Sequence, residues 1–287
     1  MKKNFIIYII AILLIYYTFN NQQLIVNSVI NSSTLYLYKV LPFFLPMYII
    51  SKILINYNFP YYISKLFNNN IYVYILIISF LSGCPNNAII IKDLLNNNII
   101  NTNEANKYIK CSFFQNPLFL TSILSAIFNK KIAISIIITQ VLSNILIYLI
   151  KPIKNSNINK TNTIKLSDLI SNTINDSIKI LLNIYITIII FNILSILLPK
   201  YLSGFIGIFE ITGGLNYLII SNYNYIIKII LTLIYISFGG LAINIQIKSV
   251  LKDTNILYSN FLLSRFYQII LSACIYAVYI TCSNIIT

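Results

Sequence analysis

Apolar blocks separated by short polar stretches run almost end to end along the chain. Residues 5–19 follow Lys2 and Lys3 in the manner of a signal peptide, but no small-x-small cleavage site comes next, so the pattern predicts an uncleaved first helix. Residues 22–36 are mixed in character. Residues 37–55 form a candidate span whose Pro42 and Pro46 predict a kinked or partly broken helix. A further run, 71–80, is interrupted by Ser82-Gly83-Cys84-Pro85-Asn86-Asn87 and resumes over 88–95. Asn101, with Glu104 three residues on, reads as a capping box opening a helix that continues through Phe113, Asn116 and Pro117 to Phe128.

After a turn at Lys130-Lys131 the span 132–150 leads into the longest polar stretch, 151–165, the natural midpoint of the chain. Residues 166–179 then look amphipathic and 180–198 span. Residues 199–218, which contain Glu210, form a short glycine-containing piece read as re-entrant. The run 225–237 meets Phe238-Gly239-Gly240-Leu241, and 245–251 and 261–282 complete the pattern.

A bilayer-spanning helix takes about 20 apolar residues. The expected fold class is therefore all-α: a polytopic helical membrane protein with about eight transmembrane helices plus re-entrant or broken ones. One membrane domain, 1–287, holds two internal repeats, 22–150 and 166–283. The repeat rests on an echo: Ser79-Phe80, Ser82-Gly83 and Ile89-Ile90-Ile91-Lys92 answer to Ser237-Phe238, Gly239-Gly240 and Ile245-Gln246-Ile247-Lys248.

Composition strengthens the membrane reading. The chain is 58% hydrophobic and 9% charged, with a mean hydropathy of +0.81, outside the range of soluble domains. Its net charge of +14 comes from lysines scattered along the chain, Arg265 being the one arginine. That scatter is no nucleic-acid footprint; it suits lysines snorkelling to headgroups, with some guiding an anionic solute. Cys84, Cys111, Cys274 and Cys282 are far apart and suggest neither a disulfide framework nor a metal site. With no histidine and no recognisable nucleophile–base pair, no enzymatic role and no cofactor is expected.

Paired glycine- or proline-interrupted apolar segments are the sequence mark of a transporter's central site, because a broken helix exposes backbone groups that must face protein or a cavity. The candidate solute-binding residues are Ser82, Gly83, Pro85, Asn86, Asn87, Asn116, Pro117, Glu210, Thr212, Gly239, Gly240, Asn244 and Gln246. Half-helices beginning after Gly83 and Gly240 would turn positive dipole ends toward an anion. Close helix packing accounts for the same glycines without a solute. Lys92 and Lys248, farther along, read as interface anchors.

The Ser82-Gly83-Cys84-Pro85 loop, Asp93-Leu94-Leu95, Glu104-Ala105, Asn116-Pro117-Leu118-Phe119, Phe209-Glu210-Ile211-Thr212 and Phe238-Gly239-Gly240-Leu241 with Gln246 and Asp253-Thr254 occur in an order that resembles a family. It is that of the sporulation integral membrane proteins of the YlbJ type, related to the nucleoside-recognition Gate domain. The chain departs from it at Cys84, Asn86 and Asn87 and in its shorter length. The resemblance implies a bacterial cell or forespore membrane location, transport of dipicolinate into the developing spore, and other sporulation membrane proteins as possible partners. A scaffold of the spore envelope, docking a partner through 151–165, and a nucleoside-type permease are the alternatives.

Overall fold

The computed structural model describes Tyr8, Ile12, Ile15, Tyr16, residues 18–150 and residues 160–283. The expected first helix over 5–19 and the loop over 151–165 fall largely outside them. Every element among the described residues is helical. In chain order these are α1 (Gln22–Leu35), a π-helical turn (Tyr36–Val40), α2 (Leu41–Asn56), α3 (Phe59–Leu66), α4 (Tyr72–Ser82), α5 (Asn86–Asn96), α6 (Thr102–Cys111), α7 (Pro117–Ile127), α8 (Lys130–Ile150) and α9 (Leu166–Ile196). A 3-10 turn (Lys200–Phe205), α10 (Ile206–Phe209), α11 (Ile211–Ile220), α12 (Tyr225–Phe238), α13 (Gly240–Leu251) and α14 (Tyr258–Ser283) follow.

Among the described residues five helices are long and apolar enough to cross a membrane: Gln22–Asn56, Lys130–Ile150, Leu166–Ile196, Tyr225–Leu251 across its glycine, and Tyr258–Cys282. Tyr72–Ser82, Pro117–Ile127 and Ile211–Ile220 are shorter apolar helices. The mixed stretch 22–36 is helical after all and runs straight into the next apolar block. The wider π turn lies immediately before Pro42, whose ring cannot donate to the Tyr38 carbonyl one turn back, so the irregularity falls where the ladder loses a donor. Residues 166–179 likewise belong to the same 31-residue helix as the span that follows them. The expected single helix from 101 to 128 divides instead into α6 and α7. Pro117 disfavours the α conformation at Asn116, which is extended (φ −56, ψ 126), and residues 112–116 leave the helix. The capping box itself forms: Asn101 and Glu104 exchange backbone-to-side-chain hydrogen bonds of 2.8 and 2.9 Å.

The molecule is apolar outward, and among its buried apolar clusters it also buries many small polar and amide side chains. Leu166, Ile170, Ile174, Ile178, Leu182, Ile186 and Ile190, four residues apart along α9, are all exposed, and Ile134, Ile138, Leu142 and Leu146 make the same stripe on α8. Stripes of this length facing water would be an aggregation surface; facing acyl chains they cost nothing. The opposite faces carry Thr173, Ser177, Thr187 and Asn192 on α9 and Ser135, Thr139, Gln140, Ser143 and Asn144 on α8, all buried. Small and amide side chains between helices are what holds helices together in lipid, where apolar contact alone gives no driving force.

Candidate functional site

Four breaks in the chain meet inside the bundle. At the first, Gly83 (φ 73, ψ −176) ends α4 in a conformation open essentially to glycine alone. Its Cα packs on the second, where a Cβ would stand 2.5 Å from the Asn116 backbone nitrogen. At the third, Glu210 is extended (φ −147, ψ 126) between α10 and α11. At the fourth, Gly239 and Gly240 (φ 86 and 65) turn α12 into α13, and a Cβ on Gly240 would lie 3.3 Å from the Phe209 carbonyl oxygen. Phe113 links the pairs, its ring filling the space where a Cβ on Gly239 would point.

Each break is followed by a helix, so the N-terminal ends of α5, α7, α11 and α13 gather around one small cavity of about 80 Å³. Ser82, Cys84, Pro85, Gln115, Asn116, Glu210, Thr212 and Gln246 supply much of its lining, with Lys39 from the π turn. Two of the four helix ends are capped by their own chain. Asn116 accepts from the Leu118 and Phe119 N–H groups at 2.9 and 3.2 Å. Glu210 accepts from the Gly213 N–H at 2.7 Å and from the Thr212 hydroxyl. The other two, α5 and α13, begin without a side-chain cap. These are the half-helices that follow Gly83 and Gly239.

Six of the thirteen expected residues thus line the cavity: Ser82, Pro85, Asn116, Glu210, Thr212 and Gln246. Gly83, Gly239, Gly240 and Pro117 shape the backbone around it. Asn244 is spent internally, donating to the Phe238 and Gly240 carbonyls at 3.1 and 2.7 Å and accepting from Tyr258 at 3.2 Å. Asn86 and Asn87 are fully buried at the start of α5, and none of their side-chain nitrogens or oxygens has a hydrogen-bond partner in the protein.

Pro85, Ile184 and Gln246 also line a second, larger cavity of about 470 Å³. This vestibule carries Lys52, Lys92 and Lys179 against Asp93, Asp176 and Asp253, with Lys52 and Asp93 paired at 2.8 Å. Four of the six acidic side chains in the chain therefore lie along the two cavities, the fourth being Glu210. The lysine surplus lies elsewhere. Lys92 crosses to the Val250 carbonyl at 3.1 Å, a tie between the two half-helices that periodicity alone does not reveal.

Arg265 is the group sequence reading passed over. It is fully buried, stacked on Phe113 and Phe261 with its guanidinium carbon 4.1 and 4.9 Å from the ring centres. It donates to the Lys110 carbonyl at 2.9 Å, to Ser264 at 3.0 Å and to Gln268. Gln268 continues to Gln140 at 2.8 Å, and Gln140 to Ser237 at 3.0 Å, two residues before Gly239. No carboxylate is among these partners. Its being the one arginine of a lysine-rich chain was the signal available.

No family model matches the chain, and neither a curated protein nor a solved structure matches it significantly.

Proposed function

We propose that this chain is an integral membrane transporter that passes a small anionic solute through the cavity at its four chain breaks. The observation that carries the reading is the gathering of four helix N-terminal ends on one cavity, two of them without a side-chain cap. Such ends hold anions through N–H groups and the positive end of the helix dipole. Broken helices beside a cavity deep in an apolar bundle are the usual construction of a transporter's binding site. The preference for an anion rests on these ends and on Lys39. Net charge does not support it, because the vestibule balances three lysines against three aspartates.

The two glycine breaks support a two-repeat design. Helix, glycine and half-helix, a short turn and a new helix follow one another in both α4–α5–α6 and α12–α13–α14. The two pairs differ in path: α12–α13 runs from one end of the bundle to the other and is already one of the five spans, whereas α4 begins and α5 ends at the same end, so that pair is re-entrant. Orientation follows from lysine placement. Asn56 and Asn58 at the end of α2 bond to Ile164 and Thr161, and Asn106 on α6 bonds to Leu257 before α14, so these turns share one end of the bundle. Lys52, Lys65, Lys92, Lys160, Lys165 and Lys252 belong to that end, against Lys130, Lys131 and Lys228 at the other. The positive-inside rule makes it cytoplasmic, and the vestibule opens toward it.

The sequence resemblance to the YlbJ type makes dipicolinate the first solute to test and a forespore membrane the setting. Purified protein in liposomes should take up labelled dipicolinate in preference to a neutral nucleoside, and spores lacking the protein should be dipicolinate-poor. Uptake of neither solute, with normal dipicolinate in those spores, would favour the scaffold reading.

A further inference from the structure

A groove that shares no residue with the transport cavity carries a chemistry the transport reading does not use. Asn103, Asn106, Lys107 and Lys110 line it from α6 at spacings of three and four residues. Asn260, Leu263, Ser264 and Tyr267 face them from α14 at the same spacings, and Ile147 and Ile150 close it from the end of α8. It has a volume of about 520 Å³, and no carboxylate among the described residues lines it. Glu104, the acid on α6, has its carboxylate on the Asn101 N–H at 2.8 Å.

Lys107 is the unusual group. It is 8% exposed, its ammonium sits 4.0 Å from the centre of the Tyr148 ring, and its Nζ has no hydrogen-bond partner in the protein. A lysine normally snorkels its ammonium into water or headgroups. Here it is held inside the groove wall, with Lys110 one turn farther along. The polar members Asn103 and Asn260 lie in the first turns of their helices, whereas Ile150, Leu263 and Tyr267 are 66%, 57% and 59% exposed. Asn103 and Asn260 thus mark the mouth, beside the end of α8 at Ile150, and Lys107, Lys110, Leu263 and Tyr267 lie one to two turns deeper, the last two open on an apolar flank.

We infer that this groove is a binding site for an anionic phospholipid, its phosphate held by Lys107 and Lys110 behind the Asn103–Asn260 mouth and an acyl chain running inward past Leu263 and Tyr267. Charge complementarity selects the head, and the apolar flank selects a lipid over a soluble anion. The inference rests on the membrane reading and is independent of any transported solute.

The test uses the full chain purified in neutral detergent, with unfolding temperature followed against added phosphatidylglycerol, phosphatidylcholine or glycerol phosphate. Phosphatidylglycerol should stabilise at lower concentration than phosphatidylcholine, and Lys107→Gln and Lys110→Gln should each raise its midpoint roughly fivefold. Lys107→Arg, which keeps the charge and the ring contact, should retain the preference and controls for folding. Equal stabilisation by the two lipids, or a preference that survives both glutamine substitutions, overturns the site. Stabilisation by glycerol phosphate as strong as by phosphatidylglycerol makes the occupant a soluble anion and overturns the lipid. The membrane reading is checked separately: a chain that inserts into phosphatidylcholine vesicles and resists carbonate extraction retains that reading even if the groove fails.

Discussion

Gly83 sits against the backbone of Asn116: a Cβ on Gly83 would lie 2.5 Å from the Asn116 backbone nitrogen, and the Asn116 side-chain amide donates to the Leu81 carbonyl at 3.2 Å. Gly83→Ala therefore forces a residue with a side chain into a region suited to glycine and pushes it against backbone that cannot yield. The expected loss is about 3 kcal/mol, seen as a fall in unfolding temperature in detergent. Gly204→Ala is the control. Its Cβ would meet only the Tyr223 hydroxyl at 3.4 Å, with no positive φ, and should change stability by under about 0.5 kcal/mol.

This contact also marks how far the sequence could be read. Glycine and proline at membrane depth announce a break by local chemistry, so Gly83, Gly239 and the irregular Glu210 segment were legible one at a time. That Gly83 sits on Asn116, and Gly240 on the Glu210 break, depends on how distant helices pack, and no local period encodes it. The division of the 101–128 stretch has a local cause that the sequence does carry, Pro117 excluding the α conformation at Asn116. Arg265 gave little warning, since a lone cation in a lysine-rich chain looks like another surface anchor until its burial is known.

Asn86 and Asn87 separate stability from function. Their amides have no protein partner to lose, so Asn86→Ala and Asn87→Ala should each leave the protein about as stable as before, within roughly 1 kcal/mol. If they serve a solute or its hydration near the start of α5, uptake in liposomes falls with little change in unfolding temperature. Unchanged uptake would remove both from the site.

Glu210 combines a cap with a charge, and two substitutions divide them. Glu210→Ala removes the acceptor for the Gly213 N–H and should cost about 1–2 kcal/mol. Glu210→Gln keeps a carbonyl acceptor, so its stability should stay close to the parent while solute selectivity shifts toward anions as the fixed negative charge leaves the cavity. Competition of dipicolinate uptake by neutral and cationic analogues reads that shift.

Lys52 and Asp93 are paired at 2.8 Å with side chains 19% and 14% exposed, bridging α2 and α5 at the vestibule. Breaking the pair strands one charge in a partly dry site, so Lys52→Met or Asp93→Leu alone should destabilise by about 2 kcal/mol. The double variant should recover most of that. A coupling near zero in the double-mutant cycle would show that solvent in the vestibule already screens the pair.

Arg265 presents the sharpest conflict between cost and retention. A buried guanidinium without a carboxylate is expensive, and it persists here through two aromatic faces, three oxygen acceptors and an amide chain reaching Ser237 beside the Gly239 break. Arg265→Met removes the charge and fills similar volume, leaving only uncharged acceptors behind. Because the uncompensated charge goes with the side chain, the substitution should cost under about 2 kcal/mol, less than breaking a buried ion pair. Arg265→Lys keeps the charge but loses the planar fork and its stacking, and should be the less stable of the two. If the cation serves the cavity, Arg265→Met abolishes dipicolinate uptake in a folded protein while Arg265→Lys retains a fraction of it. Uptake that survives Arg265→Met would confine Arg265 to holding α14 against α6.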